Sequence, residues 1–178
     1  MKNFLSSISS GILLGAIALA SPVPDTKLQG FEALNALGAE RSTIEKRHDN
    51  WSITRNELSE CKPVTVIFAR GTIELGNVGS ITGPPFFNAL SDLIGAENFA
   101  VQGVDYPASI LGYLEGGDPG GAATAARLLE QAASECPDTQ IVLSGYSQGA
   151  QVVHLGETKV SAEVAARIAA VVSSTGLP

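Results

Sequence analysis

The stretch Ile141-Val142-Leu143-Ser144-Gly145-Tyr146-Ser147-Gln148-Gly149 decides the fold. It joins a short apolar, β-rich run to an amphipathic helical segment through a Gly-x-Ser-x-Gly turn. Near-continuous hydrophobicity over a run this short suits a strand buried on both faces, as parallel sheets require. The glycines are needed because the turn is too tight for side chains next to the serine. Ser147 must take a strained backbone conformation and push its Oγ out of the sheet edge. The amide of Gln148 then opens the helix, where it can donate to an oxyanion beside the nucleophile. Ser147 is therefore the candidate nucleophile and Gln148 a candidate oxyanion donor.

On either side of this stretch, similar β-rich runs cover residues 64–69, 99–104 and 168–172. Helical segments are predicted at 84–94 and 121–136. In the second, Ala122, Ala125, Ala126, Leu129, Ala132, Ala133 and Cys136 recur at three- and four-residue spacing, and Pro137 cannot extend it. The glycines of 116–121 follow no strand directly and lack the lysine of a phosphate loop, so they read as a flexible connection. Strand alternating with helix predicts an α/β three-layer sandwich around a mostly parallel central sheet. In such a sheet all strands begin at one edge, and the segments leaving them share the opposite edge, where ligands bind. The first strand delivers Arg70-Gly71-Thr72-Ile73-Glu74 to that edge. On spacing alone Thr72 reads as an ordinary loop residue, although its N–H and hydroxyl both suit an oxyanion. Glu74 and Asn77 are expected to shape this loop, Asp105 to serve a turn, and Trp51 to anchor the N-terminal side of the domain.

Composition bounds the rest. With 178 residues, 44% of them hydrophobic, the chain has room for one domain and is neither fibrous nor wholly disordered. A net charge of −7 and no Lys/Arg-rich block argue against nucleic acid as a partner. The apolar run at 11–20 is half of what a membrane span requires, which argues against an integral membrane protein. With Lys2 before it, serines around it and Ala18-Leu19-Ala20 closing it, that run reads as a secretory signal peptide, residues 1–20. The alternative is a buried N-terminal helix. Residues 21–47, ending in Lys46-Arg47, read as a removable pro-segment, leaving a compact acidic domain at 48–178. Two cysteines in a secreted chain predict a disulfide, Cys61–Cys136, against the alternative of two buried free thiols. Both fall at the edge where the strands begin. Closing a loop of that length is worth about 4 kcal/mol in the chain-entropy model. No Cys/His cluster has metal-ligand spacing, and no metal site is expected.

Taken together, Ala69-Arg70-Gly71-Thr72-Ile73-Glu74-Leu75-Gly76-Asn77, Cys136-Pro137-Asp138 and Gly145-Tyr146-Ser147-Gln148-Gly149-Ala150 resemble the fungal cutinase family of secreted serine esterases, over about residues 61–172. The resemblance implies a cutinase-like α/β-hydrolase fold and Ser147 as nucleophile. It implies Thr72, where many members have serine, and the Gln148 amide as the oxyanion hole, and matches Cys61 and Cys136 to the family's first disulfide. It also implies hydrolysis of the polyester cutin and of short soluble esters through an acyl-enzyme, without a cofactor, by a monomer.

The sequence departs from the family after Ser147. A serine of ordinary pKa needs a base, usually histidine oriented by a carboxylate, in the chain order Ser, Asp, His. After Ser147 stand His154, Glu157 and Glu163, and His154 lies seven residues along the elbow helix, about 10 Å at 1.5 Å per residue. That exceeds the reach of a general base, so His154 is expected at the helix surface, and His48 has no catalytic role. In the family the Asp and His follow the strand matched by 168–172, and the segment carrying them is expected to be missing. The alternative function is thus a truncated, catalytically inactive cutinase-like domain, with the last strand exposing an apolar edge.

Overall fold

The computed structural model describes residues 51–174; the segments expected to be a signal peptide and a pro-segment, and His48, lie outside these residues. Four strands form one sheet: β1 (Val64–Ala69), β2 (Phe99–Gly103), β3 (Gln140–Tyr146) and β4 (Ile168–Ser174). Their order is β2-β1-β3-β4, and every pairing is parallel. Five helices accompany them: α1 (Gly83–Ile94), α2 (Ile110–Leu114), α3 (Pro119–Glu135), α4 (Gln148–Glu157) and α5 (Ala162–Ala165).

The two-residue period of a strand splits the core into two layers. On one face Ile67, Ala69, Ile141 and Leu143 pack against Ala125, Leu129 and Ala132 of α3 and Val152 and Val153 of α4. On the other, Val66, Phe68 and Val101 meet Phe87 of α1, whose ring stands edge-on to Phe68 at 5.3 Å. Helix, sheet and helix make the expected three-layer sandwich. The central strand β1 is apolar at nearly every position because both of its faces are covered.

The ends of the elements differ from expectation by one or two residues, for identifiable reasons. The helix expected from 121 begins at Pro119, because the Asp118 carboxylate caps it by accepting from the Gly121 N–H at 2.6 Å. Only the start of the glycine-rich segment is therefore a connection. Strand β2 stops at Gly103, one residue short, and β4 runs on to Ser174 alongside Tyr146. The five-residue α2 was not expected, being too short to show a period. Its cap is Ser109, whose Oγ accepts from Gly112 N–H at 3.1 Å. Cys61 and Cys136 are bonded, with Cα atoms 5.1 Å apart, at the edge where β1 and β3 begin. Strand β4, at one end of the sheet, exposes Val171 and Val172.

Candidate active site

Ser147 sits between the last residue of β3 and the first of α4, with φ 53° and ψ −118°. This is a left-handed conformation that a side chain disfavours, held by its surroundings. The Ser147 N–H donates to Ser174 O at 2.7 Å, and its own carbonyl accepts from Ala150 N–H at 3.0 Å. The flanking glycines are steric necessities. A Cβ on Gly145 would stand 2.4 Å from the Gly149 carbonyl, and one on Gly149 would stand 2.0 Å from Ala69 O. The turn thus folds α4 directly onto the exit of β1.

As first residue of α4, Gln148 has an N–H that the helix leaves without an acceptor. Its side chain is fully buried and its Nε2 donates to Ser109 O at 2.6 Å, tying the elbow to the entry of α2. The Oε1 of the same amide is buried without a partner.

The second wall of the site is the loop leaving β1. Gly71 touches the elbow, since a Cβ there would meet the Tyr146 ring at 2.7 Å. Thr72 comes next, half-buried, and then Ile73 with φ 59°, whose N–H donates to Ala108 O at 2.8 Å. Glu74 turns its carboxylate back into the loop. Oε2 accepts from Gly71 N–H at 2.7 Å, and Oε1 accepts from Ser80 and Ile81 N–H, both at 2.8 Å. Buried Arg70 donates from Nε to Glu74 O at 2.7 Å and from Nη2 to Tyr106 O at 2.6 Å, with its guanidinium 4.9 Å from the Tyr106 ring centre. Burial pushes the Tyr106 hydroxyl well above the usual tyrosine pKa, while Arg70 pulls it partly back. Asn77 braces the far side, accepting from Arg55 N–H at 2.9 Å where Gly103 leaves it room. The loop-shaping expected of Glu74 and Asn77 is present.

The fold therefore brings the loop of Thr72 and the elbow of Ser147 and Gln148 to one sheet edge. It does not bring His154 there: the residue is exposed on α4, in its last turn. Asp105 is exposed after β2, and Glu157 and Glu163 lie at the end of α4 and in α5. Trp51, expected to anchor the N-terminal side of the domain, exposes 56% of its surface. Among the described residues, no group of three or more metal-ligating side chains converges, and no helix is long and apolar enough to cross a membrane. Sequence reasoning missed Arg70 and Tyr106, 36 positions apart, and the exposed apolar residues Ile110, Leu111 and Leu114 of α2. The one local hint was the Ile-Leu-Gly-Tyr-Leu run itself.

A parallel sheet whose third strand ends in a strained serine at the head of a helix has the architecture of an α/β-hydrolase. The cutinase family model matches residues 60–175, and the chain belongs to that family. A cutinase of Botryotinia fuckeliana is 48% identical over 116 residues, which are 65% of this chain and 57% of that one. Cutinase CUT2 of Pyricularia oryzae is 45% identical over 172 residues, 94% of this chain and 70% of that one. Among solved structures, Trichoderma reesei cutinase in complex with a phosphonate inhibitor superposes with a TM-score of 0.64 at 37% identity, covering 78% of this chain and 60% of that one. The chain thus spans between half and three-quarters of the length of these relatives.

Proposed function

We propose that this chain is a secreted carboxylic ester hydrolase acting on cutin-type polyester and short esters. Residues 1–20 serve as signal peptide, 21–47 as pro-segment and 48–178 as the esterase domain, which works as a monomer without a cofactor. Ser147 Oγ attacks the ester carbonyl, the Gln148 N–H and the Thr72 N–H and hydroxyl receive the developing oxyanion, the alcohol departs, and water hydrolyses the acyl-enzyme. The observation that carries this reading is the left-handed Ser147 at the strand–helix junction, a strain that the packing of Gly145 and Gly149 maintains at the edge reached by Thr72. Exposed Ile73, Leu75, Ile110 and Leu111 near this edge favour an apolar substrate.

A second reading has its own observation. For a triad, Ser147 is the candidate nucleophile, and the one histidine among the described residues, His154, lies about 10 Å from it along the helix axis. Without a base kcat falls by of order 10⁶, leaving about 10³ to 10⁴ over water from the oxyanion hole. The test is p-nitrophenyl butyrate hydrolysis by the purified chain, with organophosphate labelling read by intact mass and Ser147→Ala as control. Turnover and label that both vanish in the control, and survive His154→Ala, support the esterase with a base other than His154. A folded chain showing neither refutes it and leaves the inactive domain.

A further inference from the structure

Glu74 is 8% exposed, with its carboxylate turned back into the loop that leaves β1. Its three partners are backbone N–H groups from both ends of one loop: Gly71 on Oε2, and Ser80 and Ile81 on Oε1. The loop is shaped around this carboxylate, since a Cβ on Gly79 would lie 2.5 Å from it and one on Gly71 would lie 3.1 Å from Oε2. Thr72 is then held on both sides, through Gly71 by Glu74 and through Ile73, whose N–H is fixed on Ala108 O. We propose that Glu74 is a positioning residue that fixes where the loop leaving β1 holds the Thr72 donors. The proposal rests on the esterase reading for the role of Thr72.

A carboxylate is required because all three groups converging on it are donors, and both of its oxygens accept. Glutamine in its place keeps the shape but turns an NH₂ toward a backbone N–H. At least one anchor is lost, and Gly71 or the 80–81 turn moves. Preorganised donors contribute to the transition state and not to ground-state binding, so the loss falls on kcat.

The test compares Glu74→Gln, Thr72→Ala and the double variant in the full chain. With p-nitrophenyl butyrate, Glu74→Gln is expected to lower kcat by about 10- to 100-fold with KM within about twofold. In the Thr72→Ala background, where the hydroxyl is gone and only the backbone N–H remains to be positioned, the same change is expected to cost less than it does in wild type. Backbone hydrogen exchange is expected to quicken at Gly71, Ser80 and Ile81 while β3 and α3 keep their protection. If Glu74→Gln does not fold, Glu74→Asp, which retains both acceptors on a shorter stem, is held to the same criteria. Equal fold-losses in both backgrounds, or unchanged exchange at Gly71, overturn the proposal. A wild type with neither turnover nor label on Ser147 refutes the esterase reading instead, and the exchange comparison then decides Glu74 alone.

Discussion

Replacing Ser147 by glycine and by alanine isolates the backbone strain at the elbow, since both variants lack the hydroxyl and differ by one methyl group. In ordinary helix or strand positions glycine is less stable than alanine by about 0.5–1 kcal/mol, because the unfolded chain gains freedom. At φ 53° and ψ −118° the balance reverses. Any residue with a Cβ bears about 1–3 kcal/mol of strain there, whereas glycine populates the mirror-image regions about as readily as the ordinary ones. The difference leaves Ser147→Gly more stable than Ser147→Ala by about 1 kcal/mol, which for a domain of this size is about 3–5 °C in melting temperature. Urea unfolding followed by circular dichroism measures it, with equal m-values as the condition for comparison. His154, exposed in α4, is the internal control, where alanine should exceed glycine by about 0.5–1 kcal/mol. A glycine variant at Ser147 no more stable than the alanine one would refute the claim that the packing of the elbow holds the serine in a strained state.

Other consequences can be checked alongside. Gly149→Ala places a methyl 2.0 Å from Ala69 O, so α4 must lift from β1; a loss of at least about 2 kcal/mol in urea is expected, and an unchanged midpoint would contradict the packing. Reducing Cys61–Cys136, which spans 75 positions, should lower stability by about 4 kcal/mol, read as the fall in melting temperature with reductant and in a Cys61→Ala/Cys136→Ala variant. Tyr106 supplies a pH test, since burial raises its folded pKa above the roughly 10 of the unfolded chain. Its contribution is fully present below pH 10 and is lost as pH rises, because the unfolded state releases its proton first. The stability advantage of wild type over Tyr106→Phe should therefore shrink above pH 10 by up to about 1.4 kcal/mol per pH unit, and a constant advantage from pH 8 to 11 would refute it.

Much of this architecture was legible in the residues because its causes are local. The runs that became β1 and β3 are apolar on both faces, and Pro137 ends α3 through its own geometry. Gly145-Tyr146-Ser147-Gln148-Gly149 announced the turn because the steric demand for glycine on either side of the serine is written into the pentapeptide. His154 stands exposed on α4 as expected, since helical rise alone carries it along the axis away from Ser147. The cap at Asp118 was also present in the sequence, but an Asp-Pro pair among glycines reads equally well as a loop.

The order of strands and helices, the elbow, and the shared edge of the two cysteines are thus properties of the residue string alone. Periodicity, turn sterics and strand direction act within a few residues. The bracing of the candidate site emerges only in three dimensions. Gly149 lies on Ala69 because α4 crosses the end of β1, Arg70 lies against Tyr106 because β1 and β2 are neighbours, and one carboxylate serves Gly71, Ser80 and Ile81 because the loop closes around it. These contacts join positions whose pairing depends on sheet order and loop closure, which no local pattern of residues encodes.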